Sequence, residues 1–227
     1  MKIRPSVCFI LLGLLLVLLF AADLLLGSVS LAAGEVVRVL TGHSSDPQAT
    51  TLVTHFRLPK AVSAIVVGAA LSASGLQMQT LFRNPLAGPY VLGISSGASL
   101  GVAIFLLGAP LLGLTGHPLI STLGIAGAAW IGSALILMLI AAVSRRIKDI
   151  MVILILGMMF SSGVGAVVQI LQYLSNEAAL KSFVVWTMGS LGDVTLGQLG
   201  LLLPAVVLGL VLAVAVIKPL NLSLIHI

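Results

Sequence analysis

Apolar residues in this chain run in long blocks separated by short polar segments, at 7–26, 61–81, 91–108, 119–143, 150–173 and 196–217. Wound as helix, a block of about 20 residues matches the ~30 Å hydrocarbon thickness of a bilayer. The pattern predicts an all-α fold, a polytopic transmembrane helical bundle with about six spans. Small residues recur within the blocks at four-residue intervals. Gly93, Gly97 and Gly101 form one series, Gly124, Ala128 and Gly132 a second, and Gly157, Ser161 and Gly165 a third. That spacing puts each series on one helix face, and small faces let membrane helices approach closely. These are read as helix-packing positions rather than substrate contacts. The block at 61–81 is also rich in small residues, from Gly68 to Gly75.

The polar segments set the connections. Residues 27–60 form a first external segment, with a short interfacial helix at 34–40 presenting Val36, Val37 and Leu40 on one side, and turn chemistry at 41–47. Arg57 and Lys60 stand three apart at the outer start of the second span, with Pro59 in its first turn, where a missing N–H costs nothing. Arg83, Asn84 and Pro85 make a tight inner turn. Pro110, Gly113, Gly116 and Pro118 form a second external connection, and Arg145, Arg146, Lys148 and Asp149 a charged turn. Residues 174–195 suit an amphipathic helix at the outer interface, anchored by Trp186. With the N-terminus inside, inner segments hold seven cations and outer ones four (Arg38, Arg57, Lys60, Lys181), a bias that places the N-terminus in the cytoplasm.

Composition agrees. Hydrophobic residues make up 59% and charged residues 7%, against about 25% charged in soluble domains. The formal net charge of +5 comes from scattered cations that act as topology signals, with no nucleic-acid partner implied. The first block, with Lys2 and Arg4 before it, is long enough to be a retained span rather than a signal peptide. The single cysteine, Cys8, excludes an internal disulfide and a multi-cysteine metal site. His43, His55 and His117 fall in outer loops as polar surface, and neither a metal nor a cofactor is expected. Gln77 and Gln79 are two apart and do not share a helix face, whereas Gln169 and Gln172 are three apart and do. Such residues serve either as helix–helix glue or as lining of a pathway. Asp23 reaches the interface from the outer end of the first span. No G-x-x-x-x-G-K-[ST] is present, so this chain holds no P-loop for ATP. Ionisable residues are lacking in the middle of the spans, which disfavours an ion-coupled carrier. No predicted span pairs a serine with a histidine, which disfavours an intramembrane enzyme.

The stretch RLPK…GAALSASGLQMQTLFRNPLAGPYVLGISSGA, from Arg57 to Ala98, resembles the permease subunits of ABC importers for iron–siderophore, haem and cobalamin, the FecCD type. The later Trp186–Leu191 is similar to another element of that family. The resemblance covers about residues 5–221 and is most specific at 57–98 and 183–198. It implies a transport subunit and not an enzyme, in the cytoplasmic (inner) membrane of a bacterium. The expected partners are an ATP-binding subunit, a periplasmic or lipid-anchored substrate-binding protein, and a second permease subunit, a homodimer being expected. The cargo is an iron complex, siderophore or haem, with cobalamin as the alternative, moved by ATP-driven alternating access. Arg57 and Lys60 are expected to dock acids of the binding protein, and Arg83, Asn84 and Pro85 to lie near the inner mouth. Lys60 stands where the family commonly has arginine, which keeps the charge but loses the bidentate fork. The family has about ten spans, so residues 1–221 read as the N-terminal part of a permease domain. Residues 222–227 match what a sequencing adapter encodes and read as a non-native tail.

Overall fold

The computed structural model describes residues 4–108, 118–147, 149–192 and 194–218. The tail at 222–227, His117 and most of the second external connection lie outside the described residues. Among the described residues eight helical segments follow one another: α1 (Pro5–Leu25), α2 (Ala33–Leu40), α3 (Pro47–Phe82), α4 (Ile94–Gly108), α5 (Pro118–Ser144), α6 (Ile150–Leu174), α7 (Glu177–Met188) and α8 (Leu196–Ala215). Of these, α1, α3, α5, α6 and α8 contain stretches long and apolar enough to cross a membrane. The expected third span is shorter than predicted: ten α-helical residues followed by five in π form. The reason lies before it. Pro89–Leu92 folds as a 3₁₀ turn and Gly93 adopts φ 73°, so the helix starts only at Ile94.

Helix starts follow the side chains available to their unpaired amides. Asp149 Oδ1 accepts from the Met151 N–H at 2.8 Å and opens α6, and Asn176 Oδ1 accepts from the Ala179 N–H at 2.9 Å and opens α7. Thr195 and Gln198 cap α8 reciprocally: the Gln198 side chain accepts from the Thr195 N–H at 3.0 Å, and Thr195 Oγ1 from the Gln198 N–H at 3.3 Å.

The largest difference from expectation is in α3. Its helix begins at Pro47, not near residue 60, and runs unbroken for 36 residues. Asp46 caps it by accepting from the Gln48 N–H at 2.9 Å, and Pro47 occupies the first turn. Of the residues read as a turn at 41–47, Thr41 and Gly42 do turn and 43–45 are non-helical, whereas Asp46 and Pro47 are an N-cap and an N1 proline. Pro59 lies inside the helix and is fully buried. A proline there lacks an N–H and crowds the carbonyl four residues back. The helix accommodates it with a π segment, Leu52–Arg57, whose wider turn ends in a Leu58 N–H donated to Val53 O.

The described residues divide into two compact units, those within 4–70 with those within 190–215, and those within 71–189 with those within 216–218. In the first, Leu24, Val36, Val39, Ala49, Val53 and Ala61 form a core joining α1, α2 and the N-terminal half of α3. Helix α2 exists, but it buries Val36 and Val39 while Val37 and Leu40 stay exposed. In the second unit, Phe82, Ala87, Leu92, Ile136 and Ile140 pack one end, and Val102, Ala103, Leu107, Val168 and Phe183 the other. Phe183 holds α7 onto the π end of α4. The Trp186 ring lies 6.1 Å from that of Phe183 and packs against the same cluster.

Helix α3 ends in a turn unusual for its residue. Arg83 has φ 48°, the left-handed region usually given to glycine. Its N–H donates to Thr80 O at 3.3 Å, and the Asn84 N–H donates to Gln79 O at 3.1 Å. That pair of bonds is a Schellman closure, and Asn84 Oδ1 continues it by accepting from the Leu86 N–H at 2.9 Å. An L residue in this region costs roughly 1 kcal/mol. Arg83→Gly is therefore expected to raise stability by up to about 1 kcal/mol, and Arg83→Val to lower it, both read from thermal unfolding in detergent.

Candidate functional site

In the first unit the positions of interest are Arg57 and Lys60. Arg57 is 7% exposed. Its Nη1 donates to Leu24 O at 2.7 Å and to Leu25 O at 3.1 Å, and its Nη2 donates to Val29 O. The last carbonyls of a helix have no intrahelical donor, and a cation is favoured there by the helix dipole. Three carbonyls at and beyond the end of α1 thus converge on one planar fork. Gly27 completes the arrangement, because a Cβ there would lie 3.0 Å from Nη2 and 3.2 Å from Cζ of Arg57. Neighbouring Lys60 pairs with Asp23 at 2.7 Å, the two side chains 46% and 31% exposed.

The resemblance implies that Arg57 docks acids of a binding protein; in this structure its guanidinium lies inside the chain, as a clamp between α1 and α3. The two cations were expected to act alike because they stand three apart on one helix, but the π segment ends between them. Lys60 remains half-exposed and already has a carboxylate. Asp23, expected only to reach the interface, is that partner. Nothing in a single sequence signals a pairing across 37 residues. Gly27 was likewise invisible, since a lone glycine in a loop has many explanations.

In the second unit the glycine series divide according to what they touch. A Cβ on Gly97 would lie 2.6 Å from Gly132 O, one on Gly101 2.1 Å from Ala128 O, and one on Gly132 2.1 Å from Gly97 O. Helices α4 and α5 therefore meet backbone to backbone along this line. Ser133 Oγ donates across it to Ile94 O at 3.3 Å. Gly93 turns to a different neighbour: a Cβ there would lie 2.8 Å from Ser161 Oγ and 3.2 Å from Gly157 O of α6. A Cβ on Gly157 would lie 2.7 Å from Val91 O. Gly93 is not on the helix face shared by Gly97 and Gly101, because it precedes the helix. Gly124 and Gly165 depart from the pattern. Gly124 breaks the α5 backbone with φ 59° and ψ 177°, so the four-residue rule does not carry through it. Among the described residues, a Cβ on either meets nothing within 4 Å.

The remaining sequence candidates do not gather around one point by their burial. Gln77 is half-buried and engaged within the chain, Gln79 is exposed, Gln169 is exposed and Gln172 half-buried. Pro85 and Asn84 are exposed in the Arg83 turn. His55 lies in the π segment of α3 rather than in a loop, with Nδ1 2.9 Å from Thr54 Oγ1. Among the described residues no three His, Cys, Asp or Glu side chains gather as a metal site. Gly93–Gly97 has the G-x-S-x-G spacing of a hydrolase elbow, but a 3₁₀ turn and not a strand precedes the helix, and both glycines are spent on helix contacts.

Comparison with known proteins fits this architecture. The hemin transport system permease protein HmuU of Yersinia pestis is 38% identical over 222 residues, covering 93% of this chain and 63% of its own. The vitamin B12 import system permease protein BtuC of Escherichia coli O127:H6 is 35% identical over 174 residues, covering 77% of this chain and 51% of its own. A solved "metal-chelate type ABC transporter" in an inward-facing conformation superposes with a TM-score of 0.78 at 29% identity, covering 96% of this chain and 64% of that one. The chain thus spans half to two thirds of the length of these relatives. The profile of the FecCD transport family matches residues 14–225, and the chain, a multi-pass α-helical membrane protein, belongs to that family.

Proposed function

We propose that this chain is the permease subunit of a binding-protein-dependent ABC importer carrying an iron complex, siderophore or haem, across the cytoplasmic membrane. The family match over residues 14–225 carries the reading, and similarity to a hemin permease favours iron complexes as cargo. An ATP-binding subunit supplies the energy, a periplasmic or lipid-anchored binding protein delivers the cargo, and a second permease subunit completes the pathway. Within this chain, the backbone contacts of α4 with α5, and of the Gly93 turn with α6, suit a body that moves as a unit during alternating access. Glycine seams resist sliding because any shift drives carbonyls into Cα atoms. Cobalamin is the second reading, favoured by similarity to a vitamin B12 permease.

The test is transport by the full-length protein in proteoliposomes with its ATP-binding subunit and binding protein. ATP-dependent accumulation of haem or a ferric siderophore is the expected result, and accumulation of cobalamin alone would favour the second reading. Uptake driven by an ion gradient without the ATP-binding subunit would overturn both. Orientation is checked separately. With the N-terminus in the cytoplasm, Ser144→Cys is expected to resist, and Glu177→Cys to react with, an impermeant thiol reagent on intact cells, both in a Cys8→Ser background. The opposite pattern would invert the topology.

A further inference from the structure

The last residues of α4, Ile104–Gly108, are wound in π form, which is rare and occurs mostly as single turns inside α-helices. Their burial follows the wider turn. Val102 and Leu107 stand five apart and are fully buried. Ala103 and Gly108 stand five apart and are buried too, while Ile104 is half-exposed. An α-helix returns to the same face after three or four residues. It would set Leu106 and Leu107 over Val102 and Ala103, and would carry Gly108 round into line with Ile104. The π register thus puts Leu107 and Gly108 on this face in place of two leucines.

The room so made is filled by Phe183. Its ring comes from α7, is 2% exposed, and shares one core with Val102, Ala103, Leu107 and Val168. Leu171 of α6 stands beside Gly108: a Cβ on Gly108 would lie 4.0 Å from Leu171 Cδ2 and 4.0 Å from Ala103 O. A leucine side chain there would overfill the corner, and packed cores resist added methylenes. The α register and the seated ring therefore compete for one volume. We propose that α4 and α7 form a two-state latch. With Phe183 seated, residues 104–108 are π. When α7 leaves, they rewind to α, and Leu106 and Leu107 take the volume of the ring. Release of α7 then leaves no cavity, whose cost would otherwise hold the helix in place. Two packings of one sequence that bury apolar groups at the same point make a bistable element. The latch rests on contacts buried inside the second unit, and not on cargo, orientation or whatever surrounds the spans.

Disulfide cross-linking in the full-length protein, with its other cysteines replaced, reads the register. Leu171→Cys is combined with Gly108→Cys or with Leu107→Cys and oxidised. With Phe183 present, the 108–171 pair is expected to form in preference to 107–171. Phe183→Ala is expected to shift the preference to 107–171, because rewinding brings residue 107 to the place of residue 108. Phe183→Leu, a milder truncation, is expected to shift it in part. Deleting Ile104 removes the extra residue, so an all-α helix keeps Gly108 beside Leu171 and no second register remains. In that background Phe183→Ala is expected to leave the 108–171 preference intact. Melting curves and gel filtration establish that each variant is folded. Pro110 stands two residues beyond Gly108, as Pro59 stands two beyond the π segment of α3. A π turn fixed by that proline alone would keep its register whatever α7 does, so an unchanged 108–171 preference in folded Phe183→Ala or Phe183→Leu would overturn the latch. So would 107–171 cross-linking that Phe183→Ala raises equally with and without Ile104, the mark of loosened packing without a change of register.

Discussion

Arg57→Glu is expected to abolish accumulation of folded protein in the membrane. The substitution replaces a fork donating to Leu24, Leu25 and Val29 carbonyls with a carboxylate facing the same three oxygens. Each hydrogen bond to a charged donor is worth about 1.5–3 kcal/mol, and a buried acceptor left unpaired costs about 1–3 kcal/mol. Arg57→Met separates the two contributions: it removes the donors without adding repulsion and is expected to cost about 3–5 kcal/mol. Arg57→Lys, with one compact ammonium, recovers part of that. Thermal unfolding in detergent measures the series. A Met variant as stable as wild type would show that the carbonyls find other donors and that the clamp is dispensable. Gly27→Val is the independent check, because its side chain meets the guanidinium and is expected to destabilise in the same direction with Arg57 intact.

Gly101→Leu is expected to cost at least about 3 kcal/mol, the upper range for overpacking, because the obstruction is backbone. A Cβ at Gly101 would lie 2.1 Å from Ala128 O, and a carbonyl of a membrane helix cannot rotate aside without losing its own hydrogen bond. Helices α4 and α5 must separate, and the contacts along the whole seam weaken with distance. Gly132→Leu is expected to match it. Gly165→Ala is the contrast, since a Cβ there meets nothing within 4 Å among the described residues. It is expected to be neutral, or favourable by up to about 1 kcal/mol through helix propensity. Equal losses at Gly101 and Gly165 would show that the chain tolerates no added volume anywhere, and the seam would lose its meaning.

These sites show what the sequence could and could not convey. Hydropathy gave the long spans because lipid imposes their length directly, and α6 and α8 fall within a few residues of the predicted 150–173 and 196–217. The four-residue series pointed to Gly97, Gly101, Gly132 and Gly157, all in close contact with neighbouring backbone, but gave equal weight to Gly124 and Gly165. Periodicity records which face is small, not whether a neighbour arrives there. Asp46-Pro47 reads equally as a turn and as a helix start, and only the continuation to Phe82 decides between them. The π segment is harder still, because its wider turn shows only in the backbone. Without it, Arg57 and Lys60 look equivalent by spacing, although one points into carbonyls and the other toward a carboxylate.

The Arg57 clamp also has a consequence for synthesis. The donor lies 33 residues after the Leu24 carbonyl it satisfies. At about 5–20 residues per second, the end of α1 leaves the ribosome roughly 2–7 s before Arg57 does. During that interval the first span has no fixed terminus and relies on water or headgroups to satisfy its last carbonyls. A ribosome pause between codons 25 and 57 prolongs this exposed state. The pairing of α1 with α3 becomes a committed unit only when the N-terminal half of α3 has been made, so its assembly is timed by translation of α3 and not of α1.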